Sequence, residues 1–231
     1  MDFSSSAFWF ALGSIILTNI VLSGDNAVVI ALASRSLPPK QQKRAIFWGS
    51  AAAIIMRIIL TVAAVKLLTL PWLKIVGAML LIYIGVQLLN EGDEDESHTA
   101  KASLWAAIQT ILIADLVMSL DNVMAVAAAA QNGPPGSQVT LLILGLGISI
   151  PLIIFGSTLL LKVMERFPVI ITLGAALLGY LAGEMFISDP VDAAWFADNV
   201  QHAGLIAGVL GAVIVVGLGT YLQRRQARAT A

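Results

Sequence analysis

The stretch that decides the fold occurs twice, as Asn19-Ile-Val-Leu-Ser-Gly-Asp-Asn26 and as Asp115-Leu-Val-Met-Ser-Leu-Asp-Asn122. Each copy places an Asp-Asn pair inside an apolar run long enough to cross a membrane. An offset of 96 residues separates Asp25 from Asp121 and Asn26 from Asn122. A charged side chain at mid-bilayer costs roughly 2.5–3.5 kcal/mol on insertion scales. Acids at matching places in two related runs therefore predict a functional site inside the membrane.

The composition indicates a membrane protein. Of the 231 residues, 58% are hydrophobic and 12% are charged, whereas a soluble domain carries about 25% charged residues. The net charge of −1 provides no basic surface for nucleic acid, and with no cysteine the chain has neither a disulfide framework nor a thiolate metal site. The N-terminal run lacks a basic region and contains acids, so we interpret it as a first membrane helix rather than a cleaved signal peptide.

Seven apolar runs are long enough to span a bilayer. They cover roughly 7–33, 44–68, 72–90, 103–130, 138–161, 169–187 and 201–222. Lys and Arg concentrate in the first, third and fifth connections and in the C-terminal tail. The positive-inside rule then predicts a multi-pass protein of the cell (inner) membrane, with its N-terminus outside and its C-terminus in the cytoplasm.

The duplication extends beyond the Asp-Asn pairs. Prolines, tyrosines and polar residues keep nearly the same register: Pro38-Pro39 with Pro134-Pro135, Pro71 with Pro168, Tyr83 with Tyr180, and Gln87 with Glu184. Because each unit contains three spans, the second unit crosses the bilayer in the opposite sense. The predicted fold is an all-α membrane protein of one transmembrane domain, 1–231, built from a 3+3 inverted-topology repeat (about 7–90 and 103–187) plus an extra helix at about 201–222.

The polar side chains of the predicted spans are suited to a metal ion. The candidate ligands are all oxygen donors: Asn19, Asp25, Asn26, Asp115, Asp121, Asn122 and Glu184. Such donors suit hard divalent ions such as Mn²⁺, Mg²⁺ or Ca²⁺, and a cation would stabilise several buried carboxylates together. Gly24 permits local unwinding of the helix beside Asp25. In the second copy Leu120 replaces this glycine, so unwinding is less expected beside Asp121. The alternative is that these side chains cap broken helices or bond across the bundle.

Two further charged features have two interpretations each. Arg57 lies in the middle of the second span, where it is either an internal counter-ion that pairs with a carboxylate when the site is empty, or a structural or snorkelling residue. The acidic stretch 91–96 either gathers metal at the cytoplasmic mouth or is a solvated loop.

With its two Asp-Asn motifs, Ser-Gly-Asp-Asn-Ala in the first span and Ser-Leu-Asp-Asn in the fourth, the chain resembles the TerC family of integral membrane proteins. The resemblance covers nearly the whole chain. Within the family, the chain is similar to the short, YjbE-type members. It implies a metal exporter, with manganese the favoured ion, in a fold related to the LysE-type exporters. The acids of the family motif fall on Asp25, Asp115 and Asp121.

We therefore expect a gradient-driven exporter of a hard divalent ion, most favourably Mn²⁺, that is not an enzyme and has no cofactor apart from its cargo. The absence of a nucleotide motif favours a gradient, with protons as the coupling ion and Asp121 as the preferred proton carrier. A Ca²⁺ or Mg²⁺ exporter and a membrane factor that delivers metal to other proteins remain alternatives, and a homo-oligomer is left open. A retinal receptor is set aside because the last span contains no lysine.

Overall fold

The computed structural model describes residues 5–67, 70–90 and 103–229, with all side chains in these ranges except those of residues 63–67, Asp121 and 226–229. The secondary structure of this part consists of α-helices. They are α1 (Ser6–Val21), α2 (Gly24–Ser34), α3 (Pro39–Leu67), α4 (Leu73–Asn90), α5 (Leu104–Gln131), α6 (Gln138–Arg166), α7 (Val169–Phe186), α8 (Ala193–Asn199) and α9 (Ala203–Ala229). The acidic stretch 91–96 lies outside the described residues.

The helices give five to seven candidate membrane spans, where the sequence predicts seven. Helices α3, α4, α6, α7 and α9 are each long and apolar enough to cross a membrane. Helices α1 and α2 form a pair that is bent by 49°, and helix α5 is bent by 62° between Leu104–Leu120 and Asn122–Gln131. The total is seven when the pair and the bent helix are each taken as one span. The all-helical architecture is therefore confirmed for the described residues, while the inverted repeat and the LysE-like topology stay predictions.

Several helices extend beyond the predicted spans. Helix α3 begins at Pro39 rather than near 44, α6 continues to Arg166, and α9 continues to Ala229. Hydropathy marks only the part of a helix that faces hydrocarbon, whereas helical hydrogen bonding continues into the polar flanks. Pro39 suits the first helical position because its missing N–H would have no partner there. Helix α8 was not predicted, since its segment was expected to be a loop.

Helices α2 and α5 occupy the interior of the bundle. Eight of the eleven residues of α2 are buried, and α5 contacts α1, α2, α3, α4 and α6. Helix α9 packs on α7 and α4 at the periphery. Large apolar side chains such as Phe10 and Phe155 are exposed on the outside of the bundle, as expected for surfaces solvated by lipid. The two helices that carry the motifs are thus the ones the others surround.

The beginning of α4 is held by a carboxylate from a distant part of the chain. Asp189, fully buried between α7 and α8, accepts hydrogen bonds of 3.0 Å from the backbone N–H groups of Trp72 and Lys74. Burial raises the pKa of Asp189, but backbone N–H donors, led by that of Val191, outweigh it, and the net pKa is lowered. Burial and then the adjacent Asp189 charge raise the pKa of Asp192. The ionised Asp189 caps α4 and favourably meets its dipole.

The other end of α4 is held by two donors. Arg35 donates a hydrogen bond of 2.9 Å to the carbonyl of Leu88. The side-chain amide of Gln223, from α9, donates one of 2.9 Å to the carbonyl of Leu89. These carbonyls belong to the last turn of α4, where no backbone donor remains within the helix. Helix α4 is therefore fixed at both ends by side chains from other parts of the chain.

Helices α7 and α9 approach each other at their backbones. A Cβ atom built on Gly183 would lie 1.9 Å from the carbonyl oxygen of Ala207, and one on Gly211 would lie 2.0 Å from the carbonyl oxygen of Gly179. Only glycine fits at these places. Close contact between small residues is a common way for helices to associate in lipid, and here it fixes the position of α7, which carries Glu184.

Candidate metal-binding cavity

The first motif lies at a break in the helix. Helix α1 ends at Val21 and α2 begins at Gly24, so Leu22 and Ser23 connect the two segments. The backbone N–H of Asn26 donates to the carboxylate of Asp25 at 2.8 Å. As a result the carbonyl of Leu22 accepts side-chain amides instead, from Asn26 at 3.4 Å and from Asn122 at 3.2 Å. The predicted unwinding beside Gly24 is thus present, and it exposes a backbone acceptor.

The second motif is bent without a break. Helix α5 keeps helical conformation through Leu120 and Asn122, yet its axis turns by 62° between them. Its Asn122 reaches the Leu22 carbonyl, so the two motifs meet at the break of the first. The side chain of Asp121, a predicted ligand and proton carrier, lies outside the described part of the structure.

Arg57 is the centre of a buried polar cluster. Its guanidinium donates hydrogen bonds to four side chains: Ser119 at 3.0 Å, Asn19 at 2.8 Å, Ser23 at 3.2 Å, and Asp115, with which it forms an ion pair. Asp115 also accepts a hydrogen bond of 3.2 Å from Ser119. Arg57 is only 1% exposed. A guanidinium can be buried this deeply because a carboxylate neutralises it and its donors are directed at acceptors.

The Arg57 cluster bears directly on the two interpretations of this arginine. Its charge lies within the bundle, so Arg57 does not snorkel to the membrane surface. The ion pair is equally compatible with a permanent structural bond and with a counter-ion that an incoming cation displaces. Asn19 and Asp115, both predicted as metal ligands, are occupied by this arginine.

A cavity of about 230 Å³ lies between the motif helices and α7. Its polar walls come from four side chains: Asp25, Asn122, Glu184 and Ser188. Its apolar walls come from four more: Leu81, Met118, Leu181 and Met185. Two acidic residues, an asparagine and a serine from α2, α5 and the end of α7 therefore line one space. This is an arrangement of hard oxygen donors of the kind that divalent cations use.

The predicted ligands thus divide into two groups. Asp25, Asn122 and Glu184 line the cavity, whereas Asn19 and Asp115 bind Arg57. Asn26 is buried with its amide nitrogen on the Leu22 carbonyl and its Oδ1 without a partner. Among the described residues, no three acidic or histidine side chains are close enough to hold a metal ion by themselves. Of the four predicted carboxylates, the structure therefore brings Asp25 and Glu184 to the cavity and Asp115 to Arg57, and it does not describe the side chain of Asp121.

Some residues of the cavity were not predicted. Ser188 lies one helical turn after Glu184, a spacing that places both on one side of the chain and could have indicated it. Met118 and Met185 have no polar signature, and only the packing of α5 and α7 brings them to the cavity. The Leu22 carbonyl becomes an acceptor because the helix breaks there.

Comparison with known proteins agrees with these observations. Residues 4–227 match the model of the integral membrane protein TerC family. The membrane protein YjbE of Bacillus subtilis is 47% identical over 171 residues, which cover 74% of this chain and 76% of that protein. YkoY of the same organism is 24% identical, over 94% of this chain and 75% of YkoY. YegH of Escherichia coli is 26% identical, over 72% of this chain and 34% of YegH. No solved structure matches.

The family assignment made from the two Asp-Asn motifs is confirmed, because the family model spans both motifs and all the helices that surround them. The chain is an integral multi-pass membrane protein and belongs to the TerC family.

Proposed function

We propose that this protein is a gradient-driven exporter of a hard divalent metal ion, with Mn²⁺ the favoured cargo. The observation that carries the proposal is the meeting of Asp25, Asn122 and Glu184, from three different helices, at one cavity. Ionised carboxylates left alone inside the membrane are costly. A dication held between Asp25 and Glu184 would offset their charges, and the amide and hydroxyl would add two further oxygen donors.

The Asn26 side chain gives independent support. This residue is 3% exposed, and its Oδ1 has no hydrogen-bond partner. A buried acceptor without a partner costs about 1–3 kcal/mol, so the protein gains from a ligand that reaches it. The neighbouring Asp25 lines the cavity directly. Asn26 itself does not line the cavity, so only a cation bound at the helix break would reach its Oδ1.

For transport we propose alternating access in a 3+3 inverted repeat of LysE-like topology, in which one unit rocks against the other. The bends at the two motifs are natural hinges for this movement. Under the predicted topology, in the cell (inner) membrane with the N-terminus outside, the cavity extends towards the outer side because Ser188 follows α7. Protons are the proposed coupling ion, and a homo-oligomer remains compatible with this scheme.

The test is metal flux into proteoliposomes that contain the purified protein, with Mn²⁺, Mg²⁺ and Ca²⁺ and an imposed pH gradient. Asp25→Asn and Glu184→Gln keep side-chain size and remove one charge each. We expect either change to abolish Mn²⁺ flux and to weaken Mn²⁺ binding at least tenfold, because a charge-assisted ligand is lost. Asp198→Asn and Glu165→Gln are matched controls, since both acids are exposed and lie outside the cavity.

Other outcomes would select an alternative. Flux of Ca²⁺ or Mg²⁺ without Mn²⁺ would indicate a different exporter. Mn²⁺ binding without flux under any gradient would favour a membrane factor that delivers metal to other proteins. Full Mn²⁺ transport by both cavity variants would contradict the proposed site.

A further inference from the structure

Two methionines lie in the wall of the cavity that contains the carboxylates. Met118 comes from α5 and Met185 from α7, and they line the same space as Asp25 and Glu184. Both are buried, with 7% and 3% of their surface exposed. The wall of the cavity therefore contains two thioether side chains as well as side chains that carry oxygen.

Met185 is held in place by α4. A Cβ atom built on Gly77 would lie 2.7 Å from Cε of Met185 and 3.5 Å from its Sδ. The end of the methionine side chain therefore packs directly against the α4 backbone, in the space that Gly77 leaves open. Because α4 is itself fixed at both ends, by Asp189 and by Arg35, this thioether has a rigid support.

Packing alone does not require methionine at these positions. When the two Asp-Asn motifs are aligned, Met118 corresponds to Leu22. When the third spans of the two repeat units are aligned, Met185 corresponds to Leu88. Leucine and methionine have similar volumes and usually replace each other at little cost. Leucine therefore meets the same need for apolar volume, and what methionine adds at Met118 and Met185 is sulfur.

The chemistry of sulfur gives these positions a role. Mg²⁺ and Ca²⁺ are hard ions that bind oxygen, so an all-oxygen site separates them from Mn²⁺ only by size and geometry. A thioether is a soft ligand that favours soft and borderline transition metals, whereas Mn²⁺, like Mg²⁺ and Ca²⁺, prefers oxygen and gains less from sulfur. We propose that Met118 and Met185 make the cavity select transition-metal dications over Mg²⁺ and Ca²⁺. This inference rests on the proposed function, since it needs the cavity to bind a metal ion.

The test is binding of Mn²⁺, Cd²⁺, Mg²⁺ and Ca²⁺ to the purified full-length protein and to Met118→Leu, Met185→Leu and the double variant. Cd²⁺ serves as the soft probe. Met79→Leu is the matched control, because Met79 lies on α4 but is 53% exposed and does not line the cavity. Thermal unfolding of each variant checks that the fold is retained.

We expect the double variant to lose roughly tenfold or more in affinity for Cd²⁺, less for Mn²⁺, and nothing for Mg²⁺ or Ca²⁺, while Met79→Leu matches the wild type. An equal change for all four ions, or no change for any, would overturn the role of sulfur while leaving the exporter proposal intact. A wild-type protein that binds none of the four ions would overturn both. A further variant, Gly77→Ala, pushes Met185 aside without altering its chemistry. Like the methionine variants, it should lower the affinity for Cd²⁺.

Discussion

The buried ion pair between Arg57 and Asp115 allows a quantitative prediction of the free energy of unfolding of its variants. The two side chains are 1% and 8% exposed, so neither charge is solvated if its partner is removed. Breaking a buried pair by removing one partner costs about 3–5 kcal/mol. We therefore expect Asp115→Asn, which leaves Arg57 charged inside the bundle, to lower the free energy of unfolding by that amount.

Removing both charges should cost much less than the two single changes predict. Replacing both partners of a buried pair is often close to neutral. In Arg57→Met/Asp115→Asn no uncompensated charge remains. The charge-assisted hydrogen bonds from Arg57 to Asn19, Ser23 and Ser119 are lost at about 1.5–3 kcal/mol each, but Arg57→Met loses them too, so they cancel in the cycle. The double-mutant cycle should thus give a coupling energy above about 2 kcal/mol.

The assay is unfolding of the purified protein in mixed micelles, followed for the wild type, both single variants and the double variant. Coupling between neutral hydrogen-bonding partners of membrane helices averages about 0.6 kcal/mol and reaches about 1.7 kcal/mol. A measured coupling at or below 0.6 kcal/mol would refute the reasoning, because it would mean that the charges of Arg57 and Asp115 do not depend on each other.

The same variants separate the two roles of Arg57. If the arginine competes with the cargo ion for a carboxylate, Arg57→Met should tighten Mn²⁺ binding or lock one conformation while the protein stays folded. Each 1.4 kcal/mol of competition corresponds to about tenfold in affinity. Arg57→Lys is the control that keeps the charge but loses the planar fork of donors. Unchanged Mn²⁺ binding and flux in Arg57→Met would leave only the structural role.

Two further predictions concern acids at and outside the site. If Asp121 carries the coupled proton, Asp121→Asn should still bind Mn²⁺ but lose the pH dependence of flux, whereas Asp25→Asn should lose Mn²⁺ binding. Equal loss of Mn²⁺ binding in both variants would contradict separate roles for a metal ligand and a proton carrier. Asp189→Asn should lower the free energy of unfolding by about 1–3 kcal/mol, because the amide nitrogen that replaces Oδ2 leaves the backbone N–H of Lys74 without an acceptor. Because the pKa of Asp189 is lowered in the folded state, its contribution is complete above about pH 4 and is lost as the pH falls through the ordinary aspartate pKa towards the lower folded value. The difference in unfolding free energy between wild type and Asp189→Asn should therefore shrink below pH 4, and a pH-independent difference would contradict the ionic cap.

The positions of the site residues show how far the sequence alone reaches. The duplicated register singled out Asp25, Asn122 and Glu184, and all three line one cavity. The register did not separate them from Asp115, which binds Arg57 instead. Periodicity assigns residues to a helix face, but it does not tell which of several buried carboxylates an arginine from another helix will reach.

The family and the all-helical architecture were predictable from the sequence, because lipid requires every backbone group to be satisfied within its own helix and so makes apolar length decisive. The partners of the polar side chains were not predictable, because they depend on tertiary packing. The break at Leu22 directs a carbonyl towards Asn122, α4 supports Met185 through Gly77, and Arg57 meets Asp115. These contacts join residues far apart in the chain, and their distances depend on how helices cross, which local hydropathy and spacing do not encode.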